Sequence, residues 1–318
     1  MRRIGYIIAA FISFTFFTAS TGTAATSGHD ITIQVDGLAN EQCLLAYYFG
    51  DQKYIKDTLQ LDQNGAVTMS GEEPMDGGIY MFVFPGNSNY FEFIINDQDF
   101  KLSTTKANPV KDMSISGSPE NELFFDYMAM LNSKKGRAQQ IKKQRKKAKK
   151  EDPEKAKALK KQLNEISQTI RDKRQAMMKN NPDLFYTKVL QTMEDPDYPN
   201  IKKKNGEVDS QRSFTVYKQR YLENVDWSDD RLLRTPIFHK KMTTYLEDLT
   251  PKNPDSIIKA TDKLVKRTDG NDETFQYIVH HVTSTYERSK IMGMDKVFVH
   301  MAEKYYLTGM ADWISDKQ

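Results

Sequence analysis

Residues 118–180 read SPENELFFDYMAMLNSKKGRAQQIKKQRKKAKKEDPEKAKALKKQLNEISQTIRDKRQAMMKN, and they separate two differently patterned parts of a 318-residue chain. The stretch opens with Ser118-Pro119-Glu120-Asn121: Ser suits a helix N-cap, and Pro suits the first helical position, where its missing N–H leaves no bond unmade. Leu123, Phe124, Tyr127, Met128 and Leu131 follow as an apolar stripe at helical spacing. Beyond Lys134 the stripe thins to Ala138, Ile141 and Ala148. Asp152-Pro153-Glu154 then repeats the cap pattern, and Ala156, Leu159, Leu163, Ile166, Ile170 and Met177 recur as a narrow heptad seam. The economical solution is an antiparallel helical hairpin with its tip near Asp152, each arm about 40 Å long at 1.5 Å per residue.

The same stretch concentrates charge. Residues 134–179 hold 18 Lys/Arg against 5 Asp/Glu, a net +13, which leaves 28 basic and 38 acidic residues elsewhere and the modest overall +3. The densest cations are Lys142, Lys143, Arg145, Lys146, Lys147, Lys149 and Lys150, the candidate residues for binding an anionic partner. Residues 134–179 contain no aromatic side chain on which a base could stack, so nucleic acid is not the expected partner. Two readings stay open. The run is a solvated helix surface, or it engages an anionic glycan, a lipid headgroup or an acidic protein, the acidic C-terminal part of another copy included, which would make a homo-oligomer.

Working toward the N-terminus, residues 26–117 read as an antiparallel β-sandwich domain. Ile31, Ile33 and Val35 alternate with Thr32 and Gln34, the period of a half-buried strand. Asn64-Gly65, between Leu59/Leu61 and Val67/Met69, predicts a hairpin with a type I′ turn. Asp76-Gly77-Gly78 precedes residues 79–84, apolar on both faces and therefore central. Seven or eight short strands with no intervening helix favour a sandwich. Working toward the C-terminus, residues 181–318 read as an all-α domain: Asn181-Pro182-Asp183, Asp209-Ser210, Ser228-Asp229-Asp230, Asn253-Pro254-Asp255 and Asn271-Asp272-Glu273 each open a helix. The fold class is thus α+β in two bodies, a β-sandwich and an all-α domain joined by a long basic helical hairpin.

Arg2 and Arg3 before an apolar run over residues 4–17, with small residues through Ala25, form the pattern of a cleaved Sec-type signal over residues 1–25. The run is shorter than the roughly 20 residues of a spanning helix, although an uncleaved anchor is the alternative. The expected location is the periplasm or cell envelope. In that oxidising setting the single Cys43 cannot form an internal disulfide, and its apolar neighbours make it a structural strand residue rather than a redox thiol.

No Cys-x-x-Cys, phosphate-binding glycine loop, His-Glu-x-x-His or Gly-x-Ser-x-Gly is present, so no catalytic, cofactor-binding or metal-binding residue is expected. His280 and His281 point about 100° apart on a helix and cannot clamp one metal. His300 and Glu303 share a helix face and read as a hydrogen-bonded surface pair, while His29 and His239 have no partner that spacing names. The aromatics of the C-terminal part, Trp227, Phe238, Tyr277 and Trp313 among them, read as core rather than as a ligand box.

Leu232-Leu233-Arg234-Thr235-Pro236, residues 253–260, residues 289–295 and the run from Val299-His300 to Thr308-Gly309 resemble the non-catalytic N-terminal half of envelope thiol:disulfide oxidoreductases of the TlpA/ResA type; Asn64-Gly65, Gly78-Ile79-Tyr80 and Gly117-Ser118 fit more loosely. The resemblance implies a β-sandwich and a helical domain of unknown function, which in such relatives precede a thioredoxin fold. Here the sequence reaches Gln318 without that fold or its Cys-x-x-Cys, so no catalytic residue carries over. The expected function is that of a non-catalytic accessory or partner-docking protein of the envelope, its partner a protein such as a thioredoxin-like one. The alternative is a binding module that captures an anionic glycan, lipid or acidic protein through the hairpin.

Overall fold

The computed structural model describes residues 28–311; the signal read in residues 1–25, and Trp313, lie outside the described residues. Eight strands come first: β1 (His29–Asp36), β2 (Gln42–Phe49), β3 (Gln52–Gln60), β4 (Ala66–Gly71), β5 (Gly78–Val83), β6 (Tyr90–Ile95), β7 (Asp99–Thr105) and β8 (Ser114–Ser116). They form two four-stranded sheets, in the orders β4-β1-β7-β8 and β3-β2-β5-β6. Ile31, Ile33 and Val35 point inward from β1 and are fully buried, as their alternation requires. β5 is buried along nearly its whole length, as a central strand packed on both faces would be.

Two pairings differ from expectation. β1 and β7 run parallel, Ile31 opposite Phe100 and Ile33 opposite Leu102, while the other ladders are antiparallel. The chain between β1 and β7 builds the whole second sheet, which supplies the long crossover that a parallel pair needs. Asn64-Gly65 is a turn but not a hairpin, because β3 and β4 belong to different sheets and the turn arches between them. Its conformation is not type I′ either. The Asp62 carboxylate accepts the N–H groups of Asn64 at 2.8 Å and Ala66 at 2.9 Å, and of the two central residues only Gly65 has positive φ, 71°. The tight hairpin lies instead at Gly50-Asp51, where Phe49 pairs with Gln52 and Gly50 takes φ 60° at the first central position.

The helices are α1 (Pro119–Glu151), α2 (Pro153–Asn180), α3 (Phe185–Met193), α4 (Ser210–Arg220), α5 (Phe238–Thr243), α6 (Pro254–Val265), α7 (Asp272–Glu287) and α8 (Asp295–Met301). α1 and α2 form the expected hairpin, about 50 and 42 Å long at 1.5 Å per residue. Asp152 ends α1 and caps α2, its side chain accepting the Lys155 N–H at 3.0 Å. No helix among the described residues is long and apolar enough to cross a membrane.

Three side chains of Ser118-Pro119-Glu120-Asn121 weld the hairpin base to its surroundings. Ser118 caps α1 and donates to Asp97 at 2.7 Å. Asn121 bonds both the N–H and the carbonyl of Ile94 on β6, closing that point of an open sheet edge. Glu120, fully buried, accepts the N–H groups of Phe185 at 2.6 Å and Tyr186 at 2.9 Å. Asn181-Pro182-Asp183 therefore does not cap α3. Glu120, from 65 residues upstream, satisfies its first donors, while Leu184 at the cap position supplies none.

One continuous buried cluster runs from the sandwich through Phe124, Phe125 and Tyr127 at the hairpin base into the helical body, so the two bodies share a core. Trp227 is buried there with its ring 5.1 Å from that of Phe238. The hairpin tip holds a separate small cluster of Ile141, Ala148, Ala156 and Leu159, extended by Leu163 and Ile166.

Candidate functional site

The seven cations singled out from the sequence all lie on the distal half of α1. Lys142, Lys143, Lys146, Lys147, Lys149 and Lys150 are exposed and Arg145 is half-buried. At 100° per residue they spread over roughly 200° of the helix circumference, which leaves the remaining arc to Ile141 and Ala148 for contact with α2. The pattern follows from the sequence, since a helix that must bury only one narrow seam keeps charge everywhere else.

Two cations toward the base of the hairpin are held in ion pairs, and those of the tip are not. Lys173 pairs with Asp126 at 2.6 Å and Arg174 pairs with Glu194. Among the described residues no carboxylate pairs with any of the seven tip cations. Lys155, Lys157, Lys160 and Lys161 on α2 extend the exposed basic surface across the tip. The Arg145 Nε is shielded from solvent and has no hydrogen-bond partner, a donor left open within this surface.

Between the two apolar clusters the hairpin seam opens into a groove of about 540 Å³. Leu131, Ala138, Ile166 and Ile170 line its apolar part, and Lys134, Lys135 and Lys142 stand along it. Sequence reasoning located the cations but not this groove. Its signal was present in two places, the thinning of the α1 stripe at Lys134-Lys135 and Ala138 and the undiminished isoleucines of α2.

A second cleft, about 600 Å³, lies where the β2–β3 turn meets α7, lined by Phe49, Asp51, Tyr54, Tyr277, His281 and Arg288 among others. His239 Nδ1 is 2.7 Å from the Tyr277 hydroxyl, the His239 and His281 rings are 5.0 Å apart, and His281 stacks on Tyr277. Burial, then the neighbouring His239, push His281 down to about 4, and burial also lowers His239. Both rings are therefore neutral near pH 7. The cluster was not readable from spacing, because His239 comes from a different helix; the i, i+4 spacing of Tyr277 and His281 was a local signal that went unused.

The remaining histidines and the thiol have structural surroundings. His300 does not pair with Glu303: its Nε2 lies 3.0 Å from Asp262 on α6, which also accepts from Tyr305 at 2.8 Å and pairs with Lys304 at 2.8 Å. A carboxylate fixed by three partners on another helix outcompetes an exposed one on the same helix. His29 lies 2.7 Å from the Glu73 carbonyl through Nδ1. Among the described residues no three His, Cys, Asp or Glu side chains are grouped as a metal site requires. Cys43 is 1% exposed in β2, and burial pushes its thiol up to about 11.

The described residues thus define a β-sandwich, a basic helical arm and a helical body that shares the sandwich's core. Residues 29–124 match the model of a domain of unknown function (DUF4369), which spans the sandwich and the first turns of α1 as far as Phe124. No curated protein and no solved structure matches the chain.

Proposed function

We propose that this is a non-catalytic accessory protein of the cell envelope that docks an anionic partner through the tip of its helical hairpin. The observation that carries the reading is the run of seven cations on the distal half of α1, six of them exposed and none in an ion pair among the described residues, with only Glu151, Asp152 and Glu154 as acidic neighbours at the tip. A hairpin that only projects from the shared core gains nothing from that density of like charge, which repels itself along the helix. The envelope setting rests on the N-terminal sequence pattern. The resemblance to the non-catalytic half of TlpA/ResA-type oxidoreductases supports a thioredoxin-like system as the context, and the buried, high-pKa Cys43 fits a docking role better than thiol exchange.

The test is binding of a fluorescent poly-glutamate probe to the purified protein, with anionic vesicles as a parallel arm for the alternative of a lipid surface. Affinity is expected to fall about tenfold or more as ionic strength rises from roughly 0.05 to 0.3 M, because exposed charges are screened beyond about 10 Å. Replacing Lys142, Lys143, Arg145, Lys146, Lys147, Lys149 and Lys150 by Gln should abolish it. Equal binding by the neutral variant would overturn the reading and leave the arm's charge as a solvated helix surface. Insulin-reduction turnover, whether or not it survives Cys43→Ser, would overturn the non-catalytic reading.

A further inference from the structure

The β2–β3 turn reaches out of the sandwich and is clasped by the helical body. Gly50 donates its N–H to the Leu233 carbonyl at 2.8 Å, and Asp51 donates its N–H to the Tyr277 hydroxyl. Gly50 packs so closely on that hydroxyl that a methyl group there would collide with it. The Phe49 ring meets Tyr277 edge-on at 5.8 Å, and Arg234, paired with Glu273 on α7, lies 6.0 Å from the other ring of this pair, that of Phe49. Tyr277 is thus the point at which α7 holds the turn.

Two imidazoles stand behind Tyr277. His239 Nδ1 lies 2.7 Å from its hydroxyl, His281 stacks on its ring, and the two imidazole rings meet at 5.0 Å. A hydroxyl has one proton to give. Because the Tyr277 oxygen already accepts from Asp51, the arrangement is satisfied when the hydroxyl donates to Nδ1 of a neutral His239 that carries its proton on Nε2. A protonated His239 is a donor at both nitrogens, so the hydroxyl would accept twice and its own proton would lose its acceptor. A protonated His281 sets a cation against His239. The groups that face the pair come from every side: Asp51 and Tyr54 on the turn, Glu247 in the π-helical turn Thr244–Asp248, Tyr277 and His280 on α7, and Arg288 at the end of α7. Asp51 and Glu247 favour the charged rings, and burial outweighs them.

We propose that His239, Tyr277 and His281 form an acid-released latch, in which protonation of the imidazoles breaks the hydrogen bonds of Tyr277 and frees the β2–β3 turn from α5 and α7. In the closed latch both rings lie below the ordinary histidine value, His281 at about 4, and in the open latch they return to it. The open form therefore takes up protons first. The latch is closed above about pH 6.5 and is released progressively as pH falls toward about 4. The sandwich and the helical body stay joined, because their shared core also runs through Phe124, Phe125 and Tyr127. Release is local to the turn and to the cleft of about 600 Å³ beside it, and it is independent of what the hairpin tip binds.

The experiment is amide hydrogen exchange of the full chain read by mass spectrometry at about pH 7.5 and about pH 5, with rates corrected for the intrinsic pH dependence of exchange. Protection across residues 49–54 is expected to fall about tenfold or more at the lower pH, while protection across residues 91–95 of β6 is retained. His239→Asn with His281→Phe keeps an acceptor for Tyr277 and a ring against it but removes both titrations. This double variant should hold residues 49–54 within about twofold between the two conditions. His281→Phe alone, the milder change, should already show a smaller drop than the wild type. Unchanged protection across residues 49–54 in the wild type, a measurement that needs no variant, would overturn the proposal. So would a drop that persists undiminished in both variants, which would move the trigger to Asp51 or Glu247. A loss shared equally by residues 91–95 would overturn it as well, since the whole fold would then be opening.

Discussion

Asn121 satisfies the outward-facing peptide edge of Ile94 completely: its Oδ1 accepts the Ile94 N–H at 2.8 Å and its Nδ2 donates to the Ile94 carbonyl at 2.8 Å. One buried side chain at the start of α1 therefore does at this point what a further strand would do for the edge of the second sheet. Asn121→Leu should cost about 2–5 kcal/mol, because two buried backbone groups lose their partners at once. Urea denaturation measures it, and a loss below about 1 kcal/mol would mean that water replaces the amide.

Glu120 makes a related prediction with different chemistry. Burial raises its pKa, opposed by the hydrogen bonds from Tyr186 and Phe185. Glu120→Gln removes the charge but turns an NH₂ group toward one of the donors it now satisfies, so a loss of about 1–3 kcal/mol is expected. If the charge were the dominant cost, the Gln variant would instead be more stable than the wild type, and the sign of the change in urea midpoint decides.

The His281 site sets a pH dependence. Its folded pKa, about 4, lies below the ordinary histidine value, so the unfolded chain binds the proton more readily. The stability that the neutral ring contributes is present above about pH 6.5 and is lost as pH falls toward 4. The groups facing it are His239 on α5, His280 and the stacked Tyr277 on α7, and Asp51 on the β2–β3 turn, the last of which opposes the shift. Allowing for its partial exposure, about 1–2 kcal/mol should disappear between pH 7.5 and pH 5. The same pair of measurements on His281→Asn should show a smaller drop, and an equal drop would move the effect to other groups.

Gly136 lies within α1, and a methyl group added there would meet nothing within 4 Å. Gly136→Ala should stabilise the helix by about 1 kcal/mol. Because the tip has its own small cluster, the gain should appear as slower amide exchange in the distal hairpin, about fivefold, with little change in the global transition. A uniform rise in global stability would mean that tip and core unfold together.

Local pattern carried the architecture. The alternation of Ile31, Ile33 and Val35 announced a half-buried strand, and Asp152-Pro153 announced a hairpin tip, since each signal depends only on neighbours in sequence. Partner choice was not local. Asn64-Gly65 looks the same whether it joins strands of one sheet or of two, and Asp62 decides its conformation. Glu120 caps a helix 65 residues away, and Asp262 takes His300 from Glu303 across an inter-helix contact, so spacing within one segment could reveal neither. The tip cations were legible because charge predicts its own exposure. The groove required knowing which residues of α2 stand opposite Ala138.

The parallel pairing of β1 and β7 bears on the order in which the sandwich assembles. Ile31, in the first strand, is flanked by Met69 on one side and Phe100 on the other, so the centre of that sheet waits for the chain beyond both. β2 and β3 meet across a two-residue turn, and β5 and β6 meet across residues 84–89, so the second sheet can start from local contacts. Loop closure is slower for distant partners. Folding is thus expected to begin in β2, β3, β5 and β6 and to end with β1 slotting between β4 and β7, so that the first strand of the sandwich is among the last to be secured.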